Sequence, residues 1–467
     1  MEACPVTKHD PSEIASTLWF SQALLPQGWA GGVRIGIRDG LVASIETGTR
    51  QGAHEPDQGL GLPGLSNVHS HAFQRAMAGL TEARGPAGAG DGDNFWTWRK
   101  LMYRFLDRGG PEEIEAIAAL AYAEMLEGGF TRVGEFHYLH HDPAGVAYDD
   151  LGEMAVRIAS AAQETGIGLT LLPVFYAHAS FGGIEPNLGQ RRFINSLDQF
   201  SDLMHLSRQA VAGLPDAVVG VAPHSLRAVT PEELVAVVPM AQGGPIHIHA
   251  AEQTREVEDC LAWSGKRPVE WLLDHAGLDH RWCLIHATHL TAGETQRFAA
   301  SGAVAGLCPI TEANLGDGVF PAVEFLADGG AFGVGTDSNV LVDAAQELRA
   351  LEYSQRLTRR ARAVLAQAGT STGGRLYRAA LAGGAQATQG TTGIAIGQAA
   401  DLVALDPQDL AFASREGDAV LDTLVFAPPR QAVRTVWRRG QALVVEGRHV
   451  AREAIEARYR KALKGLL

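Results

Sequence analysis

Eight times between residues 62 and 335, a short β-type run is followed by a longer, helix-like stretch. The first run ends at Val68. The others occupy 130–137, 168–175, 217–222, 245–249, 282–286, 303–308 and 331–335. Amphipathic segments such as 111–127 and 154–164 separate them. Strands linked through helices run parallel, because a tight hairpin joins only antiparallel neighbours. Eight such units over about 250 or more residues predict an α/β fold, the (β/α)8 or TIM barrel.

The chain ends have a different texture. Short β-type runs lie at 18–20, 33–37 and 41–45, and again at 402–405, 432–437 and 442–445. Asp39-Gly40 is a strong hairpin signal, and Arg439-Gly440 and Glu446-Gly447 supply turns at the far end. Neither set has enough strands to close a core alone. The expectation is one small β-sandwich built from both ends. Residues 1–62 and 396–452 would supply it, with the barrel over 63–395. Residues 453–467 read as a helix lying on the surface, with Ile455, Tyr459 and Leu463 on one face. A Gly- and Ala-rich patch at 85–92 reads as a loop tip.

Composition excludes some functions. A formal net charge of −14 over 467 residues argues against nucleic-acid or anionic-membrane partners. The four cysteines, Cys4, Cys260, Cys283 and Cys308, include no CxxC and fit a reducing compartment. No apolar run is long enough to span a bilayer. The first residues lack a basic region followed by an apolar one. These features predict a cytoplasmic protein.

The chemistry of a barrel sits at the C-terminal ends of its strands. There the chain places His69 and His71 after strand one, His249 and Glu252 after strand five, His286 after strand six and Asp337 after strand eight. Residues i and i+2 of a strand share a face, so His69 and His71 project together. Three imidazoles and a carboxylate at one mouth suit zinc or a similar divalent ion. Each residue alone has a plainer reading, as a hydrogen-bonded polar group or a helix cap; the joint pattern is far more specific. The only lysines are Lys8, Lys100, Lys266, Lys461 and Lys464, none near the fourth strand. A lysine-bridged pair of metals is therefore disfavoured and one ion expected.

The strings HSH, HIHAAEQ, LIHATH and GTDS at strands one, five, six and eight resemble the amidohydrolase superfamily, in its mononuclear deaminase branch. Longer strings, NVHSHAFQRAMAGL, DNFWTWRKLMY, GEFHYLHHD, APHSLRAV and CPITEANLGDG, are similar to the formimidoylglutamate deiminase family. The resemblance implies hydrolysis of N-formimino-L-glutamate to N-formyl-L-glutamate and ammonia in histidine degradation. It implies one divalent ion per chain, zinc, on His69, His71, His249 and Asp337. Glu252 would shuttle protons, His286 would orient the attacking oxygen, and Asp337 would also accept a proton. Gln74, Arg99, Tyr138, His224 and Arg227 would contact the substrate, the two arginines from loops after strands one and four. Paired arginines suit a substrate with two carboxylates on an acidic protein. The resemblance also suggests a homodimer. The alternative is a related deaminase or chlorohydrolase acting on a purine, pterin or triazine ring.

Other polar residues read more plainly. His247 lies one layer deeper than His249 and is expected in the core. His289 is expected on a loop surface, and Cys308 as buried filler. No spacing argument places His137, His140 or His141 on the ion. Glu312 and Asn314 are candidates for shaping the pocket.

Overall fold

The computed structural model describes residues 14–83 and 94–466. Cys4, Lys8 and the Gly- and Ala-rich patch at 85–92 lie outside the described residues. The chain begins with β1 (Ser16–Leu25), β2 (Gly28–Arg38) and β3 (Leu41–Glu46), a continuous antiparallel meander. Asp39 and Gly40 both have positive φ, +53° and +78°, as a type I′ turn requires. β4 (Leu60–Pro63) then returns parallel to β1. It straddles the boundary expected at residue 62.

The barrel follows. Its strands are β5 (Leu65–Ser70), β6 (Phe130–His137), β7 (Gly168–Phe175), a fourth strand in two pieces, β8 (Val218–Val219) and β9 (Ala222–Pro223), then β10 (Ile246–Ala250), β11 (Trp282–His286), β12 (Val304–Leu307) and β13 (Ala331–Val334). Parallel ladders run through β5 to β9 and through β10 to β13. Isolated bridges close the two seams: Val221 and Ser225 pair with Ile246 and His249, and Ser70 pairs with Asp337. The fourth strand, expected as one run, breaks around Gly220. That glycine presses against the Pro245 carbonyl, and Pro223 has no N–H to donate to a ladder. Every residue of β6, β7, β10 and β11 is buried, as in a parallel sheet covered on both faces. The helix Thr372–Thr388 lies across β13. Gly383 lets it do so, because a Cβ there would collide with the Phe332 backbone.

After the barrel come β14 (Leu402–Leu405), β15 (Val433–Arg438), β16 (Gln441–Val445) and β17 (Arg448–His449). β14 pairs antiparallel with β4, so both ends form one sheet of order β17-β16-β15-β14-β4-β1-β2-β3. The turns Arg439-Gly440 (+50°, +76°) and Glu446-Gly447 (+50°, +73°) are again of the type I′ kind. The sandwich expected from both ends is thus a continuous sheet folded over its own core. Phe20, Val33, Ile35, Val42, Leu402 and Trp437 fill that core, and Gly440 packs on Ile37. Charges join the sheet to the barrel: buried Arg438 bonds buried Asp401 (2.8 Å) and the more exposed Asp216 (2.5 Å), and buried Arg132 also reaches Asp216 (3.0 Å). The last helix, Arg452–Leu466, packs on Pro111–Glu127, with Ile455 buried and Arg452 bonded to Glu127 at 2.8 Å. Among the described residues, no helix is long and apolar enough to cross a membrane.

Candidate active site

Donor atoms of His69, His71, His249 and Asp337 all lie within 4.8 Å of one another, and all four residues are buried. The strand period brings the first two together, with ring centroids 4.6 Å apart. Two rings are locked from behind. His71 Nδ1 faces the Phe136 carbonyl oxygen at 3.0 Å, and His249 Nδ1 faces that of His224 at 3.0 Å. A nitrogen facing a carbonyl must carry the hydrogen, so both Nε2 atoms are bare acceptors turned into the cluster. Both nitrogens of His69 are buried without a hydrogen-bond partner, while Asp337 Oδ1 lies 3.3 Å from the Nε2 atoms of His69 and His71.

Burial pushes His69 down to about 3, and the adjacent His71 adds to this; His249 is driven well down by burial and by His69. Burial would raise the Asp337 carboxyl, but the adjacent ring of His69, with His71 and His286, holds it well below the usual range. Leaving bare ring nitrogens in the interior is costly. Three neutral imidazoles and an ionised carboxylate fit a single divalent ion, which would satisfy them together.

Two asparagines hold the strand ends in place. Asn67 Oδ1 accepts from the amides of His69 (3.2 Å) and Thr336 (3.1 Å), and its Nδ2 donates to Thr336 Oγ1 (2.7 Å). Asn339 Nδ2 donates to the carbonyls of His71 (3.1 Å) and Asp337 (3.0 Å). Between them sits Gly335, where a Cβ would lie 2.8 Å from His69 N and O. Ala251 (+52°), His286 (+66°) and Asp337 (+44°) adopt left-handed φ at three strand ends. Such strain concentrates where function demands it.

Beside the cluster, His286 Nε2 lies 3.7 Å from Glu252 Oε1 and 3.9 Å from Asp337 Oδ2. Glu312 Oε1 sits 3.3 Å from His286 Nδ1 and fixes that ring. Burial alone would strip the His286 proton, but Glu252, Glu312 and Asp337 override it and raise its pKa. Burial raises the Glu252 carboxyl, against the opposing pull of His286 and Arg227. Glu256 accepts the amides of Ala251 (3.3 Å) and Glu252 (3.2 Å) and so fixes the segment that carries Glu252.

All five expected substrate residues line one pocket with His71, His249, Glu252, His286 and Asp337. Gln74 Nε2 donates to the Tyr138 hydroxyl at 3.1 Å. Arg227 is buried, its Nη2 lying 3.9 Å from Glu252 and 4.0 Å from Glu256. Arg99 lies on the helix Phe95–Leu106 rather than on a loop. Phe95, Trp98, Tyr103, Tyr176 and Phe193 complete the wall; only the aromatic-rich string FWTW hinted at them in the sequence.

The other polar residues sort as follows. His247 is buried, its Nε2 facing the Ala387 carbonyl at 2.8 Å, and Cys308 is fully buried, as expected of both. His140 and His141 bond the carbonyls of Val174 and Ile194. Asn314, expected near the pocket, is exposed and bonds Glu82 at 3.1 Å, because its helix turns that face outward. His289, expected at the surface, is half-buried with its ring beside Gly318. Sequence reasoning missed Asn67, Asn339 and Asp317. Asp317 accepts from the Gln253 side chain, and its carboxyl is raised by burial and by Glu252. A second hollow lies between residues 340–346, Gly128-Gly129 and 428–433; its Arg75, Arg452, Glu124 and Glu127 are paired with one another.

Residues 61–443 match the Amidohydrolase family, and residues 16–59 match the N-terminal domain of formimidoylglutamate deiminase HutF. A formimidoylglutamate deiminase of Pseudomonas aeruginosa is 49% identical over 456 residues, spanning 97% of this chain and 100% of the relative. The crystal structure of an amidohydrolase from Brucella melitensis aligns with a TM-score of 0.92 at 54% identity, over 96% of this chain and 99% of its own. A zinc-bound adenosine deaminase from Xanthomonas campestris shares the fold at 21% identity and a TM-score of 0.79, over 96% and 98% of the two chains.

Proposed function

The chain belongs to the amidohydrolase family, and from that premise we propose that it hydrolyses N-formimino-L-glutamate to N-formyl-L-glutamate and ammonia, a step of histidine degradation. One observation carries this reading: a single pocket joins His71, His249 and Asp337 of the four-donor cluster, Glu252 and His286 to the buried guanidinium of Arg227, with Arg99 on the same wall. The first group can activate water, and the second can hold carboxylates.

His69, His71, His249 and Asp337 would hold one divalent ion, zinc by the preference of the donor set. When bound it would supply Lewis acidity and lower the pKa of a water to about 7. Asp337, kept ionised among the imidazoles, takes a proton from the attacking water. Glu252, raised by burial, holds a proton and delivers it to the formimino nitrogen as oxygen adds to carbon. His286, kept charged by its three carboxylates, stabilises the negative charge developing on that oxygen. In the collapse the proton taken up by Asp337 passes to the terminal nitrogen, which departs as ammonia, while the ionised Glu252 takes the hydroxyl proton and the carbon keeps the oxygen as a formyl group. Arg227 and Arg99 bind the two carboxylates; Gln74, Tyr138 and His224 position the chain between them and the reacting carbon.

The test is ammonia release from formiminoglutamate by the purified protein, before and after chelation, beside guanine and adenosine derivatives. Release that disappears on chelation and returns with zinc supports the reading. Turnover of the purines without formiminoglutamate overturns it.

A further inference from the structure

Three guanidinium groups gather on one indole beside the pocket. The guanidinium carbons of Arg99, Arg255 and Arg227 lie 4.7, 5.0 and 5.8 Å from the centroid of Trp96. Arg99 and Arg227 line the pocket, whereas Arg255 stands outside its wall, 66% exposed.

Local structure does not account for an arginine at position 255. It is the second residue of the helix Thr254–Ser264, where the positive end of the helix dipole disfavours a cation. Its carboxylate neighbour is Asp259, 3.6 Å away and 47% exposed; such surface pairs contribute little. The Trp96 ring attracts a guanidinium through its quadrupole but cancels none of its charge. Nearby, Arg227 is opposed by Glu252 and Glu256. Arg255, countered in part by the solvent-screened Asp259, therefore adds a positive field at the rim of the site on a chain whose net charge is −14.

We infer that Arg255, held on Trp96, is a third cation of the recognition surface, which captures the dianionic substrate and passes it to Arg99 and Arg227. The inference rests on the proposed substrate. Arg255 touches none of the reacting atoms and is a positioning residue, acting through its field and through Trp96. Two consequences follow from that mode of action. Its contribution belongs to capture, in kcat/KM, and leaves kcat alone. It also weakens as salt screens it, since the screening length falls from about 30 Å at 0.01 M to about 3 Å at 1 M ionic strength. A unit charge removed about 10 Å from a dianion in water changes capture about 3- to 5-fold at low salt.

The experiment uses the metal-loaded enzyme and measures steady-state ammonia release from formiminoglutamate at low and high ionic strength. The variants are Arg255→Gln, Arg255→Lys and Trp96→Leu. We expect Arg255→Gln to lose about 3- to 5-fold in kcat/KM at low salt, with kcat retained and the deficit vanishing at high salt. Arg255→Lys should recover most of the salt-dependent part, and Trp96→Leu should lose it. A monoamide of the substrate, carrying one charge less, should suffer a smaller loss in Arg255→Gln. An Arg255→Gln variant equal to the parent at low salt overturns the inference. So does one whose deficit lies in kcat or is indifferent to salt, which would mark a structural role. If the parent enzyme itself leaves formiminoglutamate intact, the substrate reading falls and this inference with it; an active parent with an unchanged variant removes the third cation alone.

Discussion

Replacing Arg227 with methionine removes a guanidinium that is 7% exposed and stands about 4 Å from both Glu252 and Glu256. A carboxylate bound there is desolvated with it, so the contact belongs to the class of buried charge pairs. Truncating one side of such a pair costs about 2–5 kcal/mol. At about 1.4 kcal/mol per factor of ten, kcat/KM should fall about 30-fold to several thousand-fold. Arg99 is only half-buried, so Arg99→Met should sit at the low end of that range. Lysine at 227 should rescue in part, because a point charge cannot reproduce the planar fork. The pH profile should move as well. Arg227 is among the groups that hold the Glu252 carboxyl down against burial. Without it the carboxyl keeps its proton to higher pH, so the alkaline limb of activity, which needs protonated Glu252, shifts upward. The assay is ammonia release across pH, with metal content measured on the same samples. Substrate monoamides provide the cross-check: each should lose much less in the variant lacking its matching arginine. If both variants handle acid and amide as the parent does, the arginines hold no carboxylate, and a ring-acting deaminase becomes the better reading.

Other outcomes are equally open to measurement. Glu252→Gln keeps shape and loses proton transfer, so kcat should drop about 10²- to 10⁴-fold with the metal retained; a metal-free variant would make Glu252 a ligand instead. Elemental analysis should find one divalent ion per chain on the donor set of His69, His71, His249 and Asp337; two tightly bound ions would contradict the single site. Gly335→Ala places a Cβ 2.8 Å from the His69 backbone, and crowding of this kind typically costs about 1–3 kcal/mol. It should lower both unfolding stability and metal affinity, and a variant with the parent's metal content and melting curve would show that the contact relaxes freely.

The barrel was legible because its signal is repeated. Buried parallel strands make compact apolar runs, and 130–137, 168–175 and 282–286 coincide with strands of the structure. The ligands were legible because strand ends are where barrels keep polar residues, and the resemblance then named their partners. What stayed hidden depends on contacts distant in sequence. Asn67 reads as any polar residue before His69, yet its partner Thr336 is 269 positions away. The split of the fourth strand follows from the approach of Pro245 to Gly220, which no local pattern encodes. Asn314 was misplaced because the string around it, ITEANLGDG, supplies both Glu312, inside the site, and an outward helix face. Arg99 was expected on a loop, but the Asn94 cap and its box with Thr97 start a helix before it.

The sheet order β15-β14-β4-β1 sets a timetable for the ribosome. The strand β4 leaves the tunnel early, and its neighbour β14 begins at Leu402, some 340 residues later. At about 5–20 residues per second, the β4 edge waits about 20–70 seconds for its partner. Throughout that interval the nascent chain carries β1–β4 with one side unpaired, a template for any other extended segment. The barrel is completed within the same interval, so the last strands close the sheet against an already assembled body. A chain released before Leu402 would keep every residue of the candidate metal cluster and still present that open edge. Premature termination in this protein should therefore show itself as aggregation rather than as loss of chemistry.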